Sequence, residues 1–394
     1  MNMPTICIAH VVTRLTNGGA EENTLYTLNG LVDLNYDITL ISGKEIEDEI
    51  VKKIPIDKNI TTITVDSLCR EISPIKDVIS LFVLTKILKQ KRYMIVHTHM
   101  AKGGILGRIA AYWAKVPIIV HSIHGTTFPP STSLIKRSFF RCLERIVASI
   151  TTFFVPVGED VRDRYIKAGI GKADIYRVIH SGMDIARFKE SSYVSTEKRF
   201  KLKKNLRIPV DNIVIGKIAN LEKRKGHKYL LEAVFPILDK YPFVTVLIVG
   251  TGKLMPYLQR VIKKRGFEKR IIFTGYRHDV ENIYAIIDIL VLTSLWEGLP
   301  RVLVQGALAG KALISFDVEG AREVIQDGVN GFVVEKKDIE TLRDKLVYLI
   351  ENNNKIDEMS LKSKSIIDRS WSIENMIDET NSLYRELYER YAIK

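Results

Sequence analysis

Short apolar runs bounded by turns recur along this chain, and they alternate with longer segments whose apolar residues return every three or four positions. The runs Ile6–Val12, Tyr36–Ser42, Thr61–Val65, Met94–His97, Val116–Val120 and Thr152–Val157 read as strands of a first half. Ile213–Ile218, Phe243–Val249, Ile271–Gly275, Ile286–Leu292 and Ala312–Phe316 repeat the pattern in a second half. Nearly continuous apolar runs suit strands covered on both faces, and helical segments between them suit crossovers, so the pattern predicts parallel sheets in two doubly wound α/β domains. The helices include a stretch with Leu25, Leu28 and Leu31, and Pro74–Gln90 with Ile75, Val78, Leu81, Leu84 and Leu88 on one stripe. The charged, aperiodic stretch Lys189–Lys204 reads as the linker or an early loop of the second domain. The expected organisation is residues 1–188, then 189–370, with a helix in the tail 371–394.

Length and composition agree with two cores, since 394 residues exceed one typical domain and 46% are hydrophobic. No apolar run approaches the ~20 residues of a bilayer span, and the chain enters Ile6–Val12 without a basic lead, so a cytoplasmic protein is expected. Cys7, Cys69 and Cys142 lack metal or redox spacing and are expected to be buried free thiols. The net charge of +13 points to a polyanionic partner, either an anionic membrane surface, nucleic acid or a charged substrate. Zinc spacing, RNP-type aromatics and helix-turn-helix cues are all missing, which disfavours nucleic acid. Two segments carry bases beside apolar positions: Pro74–Gln90 with Lys76, Lys86 and Lys89, and Ser133–Ile150 with Lys136, Arg137, Arg141 and Arg145. They could rest on anionic headgroups as peripheral contacts.

Candidate chemistry concentrates where strands end. After Ile286–Leu292 comes Ser294-Leu-Trp-Glu-Gly-Leu-Pro-Arg301, in which Pro300 suits a first helical position and the following N–H groups would face an anion. Gly298 allows close backbone approach, and Glu297 can only accept hydrogen bonds, as a pair of sugar hydroxyls would require. Together these suggest a sugar-diphosphate site. The loop Ala219–Gly226 after Ile213–Ile218 sets Lys223, Arg224 and Lys225 before a glycine and a helix, a way to neutralise a diphosphate. In the first half, Gly18-Gly19 follow the first strand, and His124-Gly125 lie beyond the strand Val116–Val120, where parallel sheets hold ligands. His97 and His99 are close in sequence, but no third ligand is evident, so no metal site is expected. Asp279-Val-Glu281 reads as a turn and helix start and not as a metal-binding acid pair.

The words EGLPRVLVQ and AGKALIS resemble the E-x7-E region of the family 4 retaining glycosyltransferases, and the likeness extends along nearly the whole chain. It implies the GT-B architecture, two Rossmann-like domains facing across a cleft, with the acceptor side first and the nucleotide-sugar side second. It further implies metal-independent transfer, with retention, of a sugar from a nucleotide diphosphate to a glycan or lipid-linked acceptor in cell-surface polysaccharide assembly. No cofactor is implied, and a UDP-sugar is favoured over a GDP-sugar as donor. By matching motif positions, His124, Lys225 and Glu297 would act in catalysis. Gly19, Asn220, Gly250, Tyr276, Arg277, Gly298, Leu299, Pro300, Arg301 and Gln305 would contact the donor. Two positions depart from the family: Gln305 replaces the second acid, whose usual partner is the ribose, and Asn220 stands where an Arg is usual. Those departures keep two alternatives open, a nucleotide-sugar epimerase of the same architecture and a non-catalytic partner subunit.

Overall fold

A computed structural model describes residues 5–129 and 132–392. The chain forms two compact units, Met1–Met183 with Ser370–Lys394, and Asp184–Arg369. Residues 184–188, placed with the first domain from the charge pattern, belong to the second unit, because Ile185–Glu190 already forms a helix whose Arg187 pairs with Glu281 at 2.7 Å.

In the first unit six parallel strands, β1 (Ile6–Val12), β2 (Tyr36–Ser42), β3 (Thr61–Thr64), β4 (Ile95–His99), β5 (Ile118–Ile123) and β6 (Phe153–Pro156), are ordered β3-β2-β1-β4-β5-β6. The apolar run of β1 is apolar throughout because both of its faces are covered. Ile6, Ile8 and Val12 pack with Leu25, Leu28 and Leu31 on one side, while Ala9 and Val11 pack with Leu84, Leu88 and Ala110 on the other. The helix Ile373–Ala392 belongs to the first of these cores, into which it inserts Leu383, Tyr384 and Leu387. Its start is tied down by Met183 N–H donating to the Trp371 carbonyl at 2.8 Å and by Trp371 stacking on His180 at 3.9 Å.

The second unit holds β7 (Ile213–Ile218), β8 (Val244–Val249), β9 (Ile271–Gly275), β10 (Ile289–Leu292), β11 (Ala312–Phe316) and β12 (Gly331–Val334), all parallel in the order β12-β11-β10-β7-β8-β9. Read from the β9 edge this is the same order as in the first unit. Each sheet therefore reverses winding between its first and fourth strands, at β1/β4 and at β7/β10, the place where open parallel sheets hold their ligands.

Two expectations are corrected. Cys142 is exposed and Cys7 and Cys69 are partly so, because Cys142 lies on the solvent side of the helix Leu134–Ala148 and the Cys7 thiol reaches the Asp37 carboxylate. On the helix Pro74–Lys91 only Leu84 and Leu88 of the expected apolar stripe are buried, beside Ser80 and Thr85, while Ile75, Val78, Ile79 and Phe82 face solvent. No helix among the described residues is long and apolar enough to cross a membrane.

Candidate active site

In the second unit the sheet reverses between β7 and β10, which pair at Ile289 with Ile215 and Leu290 with Gly216. The loop after β7 has to lie directly on the loop after β10. Gly226 makes that contact possible: it holds φ +65°, and a Cβ there would sit 1.9 Å from the Thr293 carbonyl oxygen. Three hydrogen bonds close the junction. Leu295 N–H donates to the Arg224 carbonyl at 2.8 Å, Thr293 Oγ1 donates to the Gly226 carbonyl at 2.9 Å, and Lys217 Nζ donates to Thr293 Oγ1 at 2.9 Å. With the two loops stapled, Lys225 Nζ comes to 2.5 Å from Glu297 Oε1, and Arg224 to 3.8 Å from Glu297 Oε2.

The charges here are set by few residues. Burial would push the Glu297 carboxyl up, but Lys225 and then Arg224 outweigh it and hold it below the usual range, so Glu297 is an anion. Burial, with Lys225 adding to it, depresses the fully buried Lys217 to about 7. His227, at the head of the following helix, is lowered to about 2 by burial and by Lys217 and Lys225, so it is neutral. Arg224 is also held by Glu222 at 2.9 Å, so Lys225 and Arg224 are balanced by two carboxylates in the resting protein, and a polyanionic guest would compete with Glu222 and Glu297 for these bases.

The remaining second-unit residues of the sequence reading fall on adjoining loops. Gly250 has φ +132°, and a Cβ would lie 2.2 Å from the Ala219 carbonyl, so the loop after β8 presses on that of Asn220; its N–H donates to the Gly275 carbonyl at 2.8 Å, which brings in Tyr276 and Arg277. Asn220 is exposed. Arg277 is committed to Asp279 at 2.6 Å, and Asp279 precedes the helix Val280–Ile286, as a turn and helix start should. Pro300 departs from expectation: it is the N-cap and not the first residue of the helix Arg301–Leu308. Two N–H groups expected to await a ligand are also satisfied locally, Arg301 by the Leu299 carbonyl at 2.9 Å and Leu303 by that of Pro300 at 2.8 Å, because the chain turns tightly before the helix. Leu299 and Pro300 are buried beneath Gly320, where a Cβ would meet Pro300 Cδ at 2.8 Å, while Gly298 stays half-buried. Gln305, one turn on, accepts from the Tyr284 hydroxyl at 3.1 Å.

His124 and Gly19 belong to the first unit and its own reversal point. Gly19 opens the helix Gly19–Leu31 after β1. His124 follows β5 and meets the end of a buried series of rings: His124 Nε2 is 3.1 Å from His99 Nδ1, His99 Nε2 is 2.9 Å from His10 Nδ1, and His10 Nε2 is 3.0 Å from the Tyr384 hydroxyl. The same hydroxyl is 2.5 Å from His97 Nδ1, and His97 Nε2 is 2.8 Å from Ser122 Oγ. The expectation that His97 and His99 lack a third imidazole is thus corrected: β1 lies beside β4 with His10 opposite His97, and the three rings are close enough to hold a metal ion. Each nitrogen of the three already holds a hydrogen bond that such an ion would have to displace. Sequence reasoning passed over His10, Tyr384, Thr293 and Gly320. The signals were one polar residue inside an apolar strand for His10 and a glycine after an acid for Gly320. Nothing local marks Thr293 or Tyr384.

Comparison with known proteins follows this division. Residues 17–187 match the family model "Glycosyltransferase Family 4" and residues 198–365 match "Glycosyl transferases group 1". The chain is 30% identical over 389 residues, 97% of each protein, to the UDP-Gal:alpha-D-GlcNAc-diphosphoundecaprenol alpha-1,3-galactosyltransferase of Escherichia coli. It is 25% identical over 352 residues, 87% of this chain and 89% of the relative, to the N,N'-diacetylbacillosaminyl-diphospho-undecaprenol alpha-1,3-N-acetylgalactosaminyltransferase of Campylobacter jejuni. Among solved structures, HepE of Anabaena in complex with UDP-glucose superposes with a TM-score of 0.78 at 21% identity, covering 97% of this chain and 100% of that one. WaaG, a glycosyltransferase of lipopolysaccharide biosynthesis, does so with a TM-score of 0.76 at 14% identity, covering 96% and 99%. Two stapled loops around an ionised glutamate, in a chain similar from end to end to a galactosyltransferase, identify this protein as a member of the group 1, family 4 glycosyltransferases.

Proposed function

We propose that this enzyme transfers a hexose from a UDP-sugar, with retention at the anomeric carbon, to a glycan carried on undecaprenyl diphosphate. The observation that carries the reading is the Lys225–Glu297 pair at the β7/β10 reversal. The substrate class comes from the two relatives, both named for acceptors on a polyprenyl diphosphate. Glu297, ionised and limited to accepting, would take hydroxyl hydrogens of the donor sugar and fix the ring. The diphosphate would draw Lys225 away from Glu297 to its own oxygens. As the bond from the anomeric carbon to the diphosphate oxygen breaks, charge grows on that oxygen, and Lys225 and Arg224 would stabilise it more than the ground state. The acceptor hydroxyl oxygen bonds to the same face of that carbon, and its proton passes to the departing phosphate oxygen. Gln305 would meet the ribose as a neutral amide. His124, at the reversal point of the first unit, keeps the catalytic role that its motif position implies, as a polar contact to the reacting groups.

A cytoplasmic enzyme resting on the inner membrane face is the localisation that suits a lipid-linked acceptor. Support comes from the net charge of +13 and from Ile75, Phe82, Ile135 and Phe139, exposed on the two helices that carry Lys76, Lys86, Lys136, Arg137 and Arg141. The function is tested by incubating the chain with UDP-galactose, UDP-N-acetylgalactosamine or UDP-glucose and an undecaprenyl-diphosphate-linked N-acetylhexosamine. Acceptor-dependent UDP release and an α-linked product are expected. Conversion of the donor sugar without acceptor would identify an epimerase instead, and donor binding without turnover a non-catalytic subunit.

A further inference from the structure

The buried series ending at His124 carries more than support for a fold. Its members are almost wholly removed from water: His10 and Tyr384 are 0% exposed, His99 1%, His97 2% and Ser122 4%. Burial lowers His10 to about 3 and takes His97 and His99 well below the ordinary range, so each imidazole is neutral and has one nitrogen that donates and one that accepts. The Tyr384 hydroxyl has one proton and two imidazole nitrogens against it, so it donates to one and accepts from the other. Every donor in the series must then point the same way, and reversing one reverses all.

Ser122 chooses the direction. Its hydroxyl has His97 Nε2 as its hydrogen-bond partner among the described residues. If His97 donated to Ser122, the buried hydroxyl proton would be left without an acceptor, and that is the costlier way to leave a group unsatisfied. The run is therefore from the Ser122 hydroxyl to His97 Nε2, His97 Nδ1–H to Tyr384, Tyr384 O–H to His10 Nε2, His10 Nδ1–H to His99 Nε2, and His99 Nδ1–H to His124 Nε2.

We propose that Ser122, His97, Tyr384, His10 and His99 are positioning residues that act as one directional hydrogen-bond relay and hold His124 as the neutral tautomer protonated at Nδ1. This is the tautomer that a free imidazole disfavours. It withdraws the His124 Nε2 lone pair from use as a base, because that lone pair accepts from His99 Nδ1–H. The significance for transfer rests on the reading of His124 as a contact to the reacting groups, but the relay itself does not. It also accounts for the three-histidine cluster without a metal ion, since all six ring nitrogens have partners.

The test is the side-chain nitrogen spectrum of the full chain labelled with 15N-histidine, recorded near pH 7.5, with the His124 signals identified by their loss in His124→Gln. A single His124 tautomer with a protonated Nδ1 is expected. A protonated Nε2, or averaged shifts from both forms, would overturn the proposal, as would stoichiometric zinc or another transition metal in the purified protein. Tyr384→Phe cuts the relay at its middle. In that variant His124 should gain a population protonated at Nε2, and an unchanged His124 spectrum in folded protein would refute control from a distance. Transfer activity enters none of these readings, so a failure of the relay and a failure of the assigned reaction are separately visible.

Discussion

Glu297→Gln keeps the side-chain volume and removes one charge from the junction of the two stapled loops. In the resting protein that charge is held by Lys225 at 2.5 Å, with the side chains 10% and 15% exposed, so the exchange converts an ion pair into a hydrogen bond from the Lys225 ammonium to a neutral amide. A hydrogen bond to a charged group contributes about 1.5–3 kcal/mol and a typical one about 0.5–1.5, so the exchange loses at most about 1–1.5 kcal/mol and in a unit this large lowers the melting temperature by about 2–6 °C. Binding should move the other way. Lys225 no longer has a competing carboxylate, so UDP alone should bind between equally and about tenfold more tightly, a gain of up to ~1.4 kcal/mol. Turnover should nevertheless fall by about 10²–10³, the scale of losing one preorganised polar contact in the transition state. Calorimetric titration with UDP, thermal unfolding, and acceptor-dependent UDP release measure the three quantities on one preparation. Turnover within about threefold of the parent in a folded variant, or UDP affinity falling in step with turnover, would refute the reasoning.

Gly226→Ala places a methyl against the Thr293 carbonyl at a φ of +65°, so a destabilisation of about 2–4 kcal/mol and loss of UDP binding are expected; ordinary binding by titration would show that the loops need not touch. Lys217 is lowered from 10.5 to about 7, so between those values the unfolded chain binds more protons and this group's penalty on folding, full below pH 7, fades as pH rises to 10.5. Lys217→Met should accordingly stabilise by about 2–4 kcal/mol at pH 6 after allowing for the lost Thr293 bond, with the gain shrinking by pH 9.5 in urea titrations. The chain should float with anionic but not neutral liposomes, since each base near such a surface contributes about 1 kcal/mol, and salt or a Phe82→Ser, Phe139→Ser double variant should release it; equal absence from both lipids at low salt would exclude docking.

What could be read from the sequence, and what could not, divides along physical lines. Strands such as β8, apolar at nearly every position because both faces are covered, announce themselves locally, and so do Lys225–Gly226 and Glu297–Gly298, whose residue types are tied to backbone turns. Their pairing was not legible, because Lys225 and Glu297 are 72 residues apart and meet only through the order of β7 and β10. His10 was hidden for the same reason: its partners depend on β1 lying beside β4, and Tyr384 arrives from a helix more than 370 residues away. Periodicity placed the helix at Pro74–Gln90 correctly but merged the covered Leu84 and the uncovered Ile75 into one stripe, although nine residues of α-helix set them on opposite faces.

The return of the last helix to the first unit also sets an order of events during synthesis. Met376, Leu383, Tyr384 and Leu387 complete a core whose other buried members lie between Ile6 and Ile179, so that core cannot close until nearly the whole chain has left the ribosome. Asp184–Arg369, by contrast, is fully synthesised before the helix Ile373–Ala392. A chain cut short within the last helix therefore carries every residue of the second unit and a first unit whose core, built between Ile6 and Ile179, is left partly open.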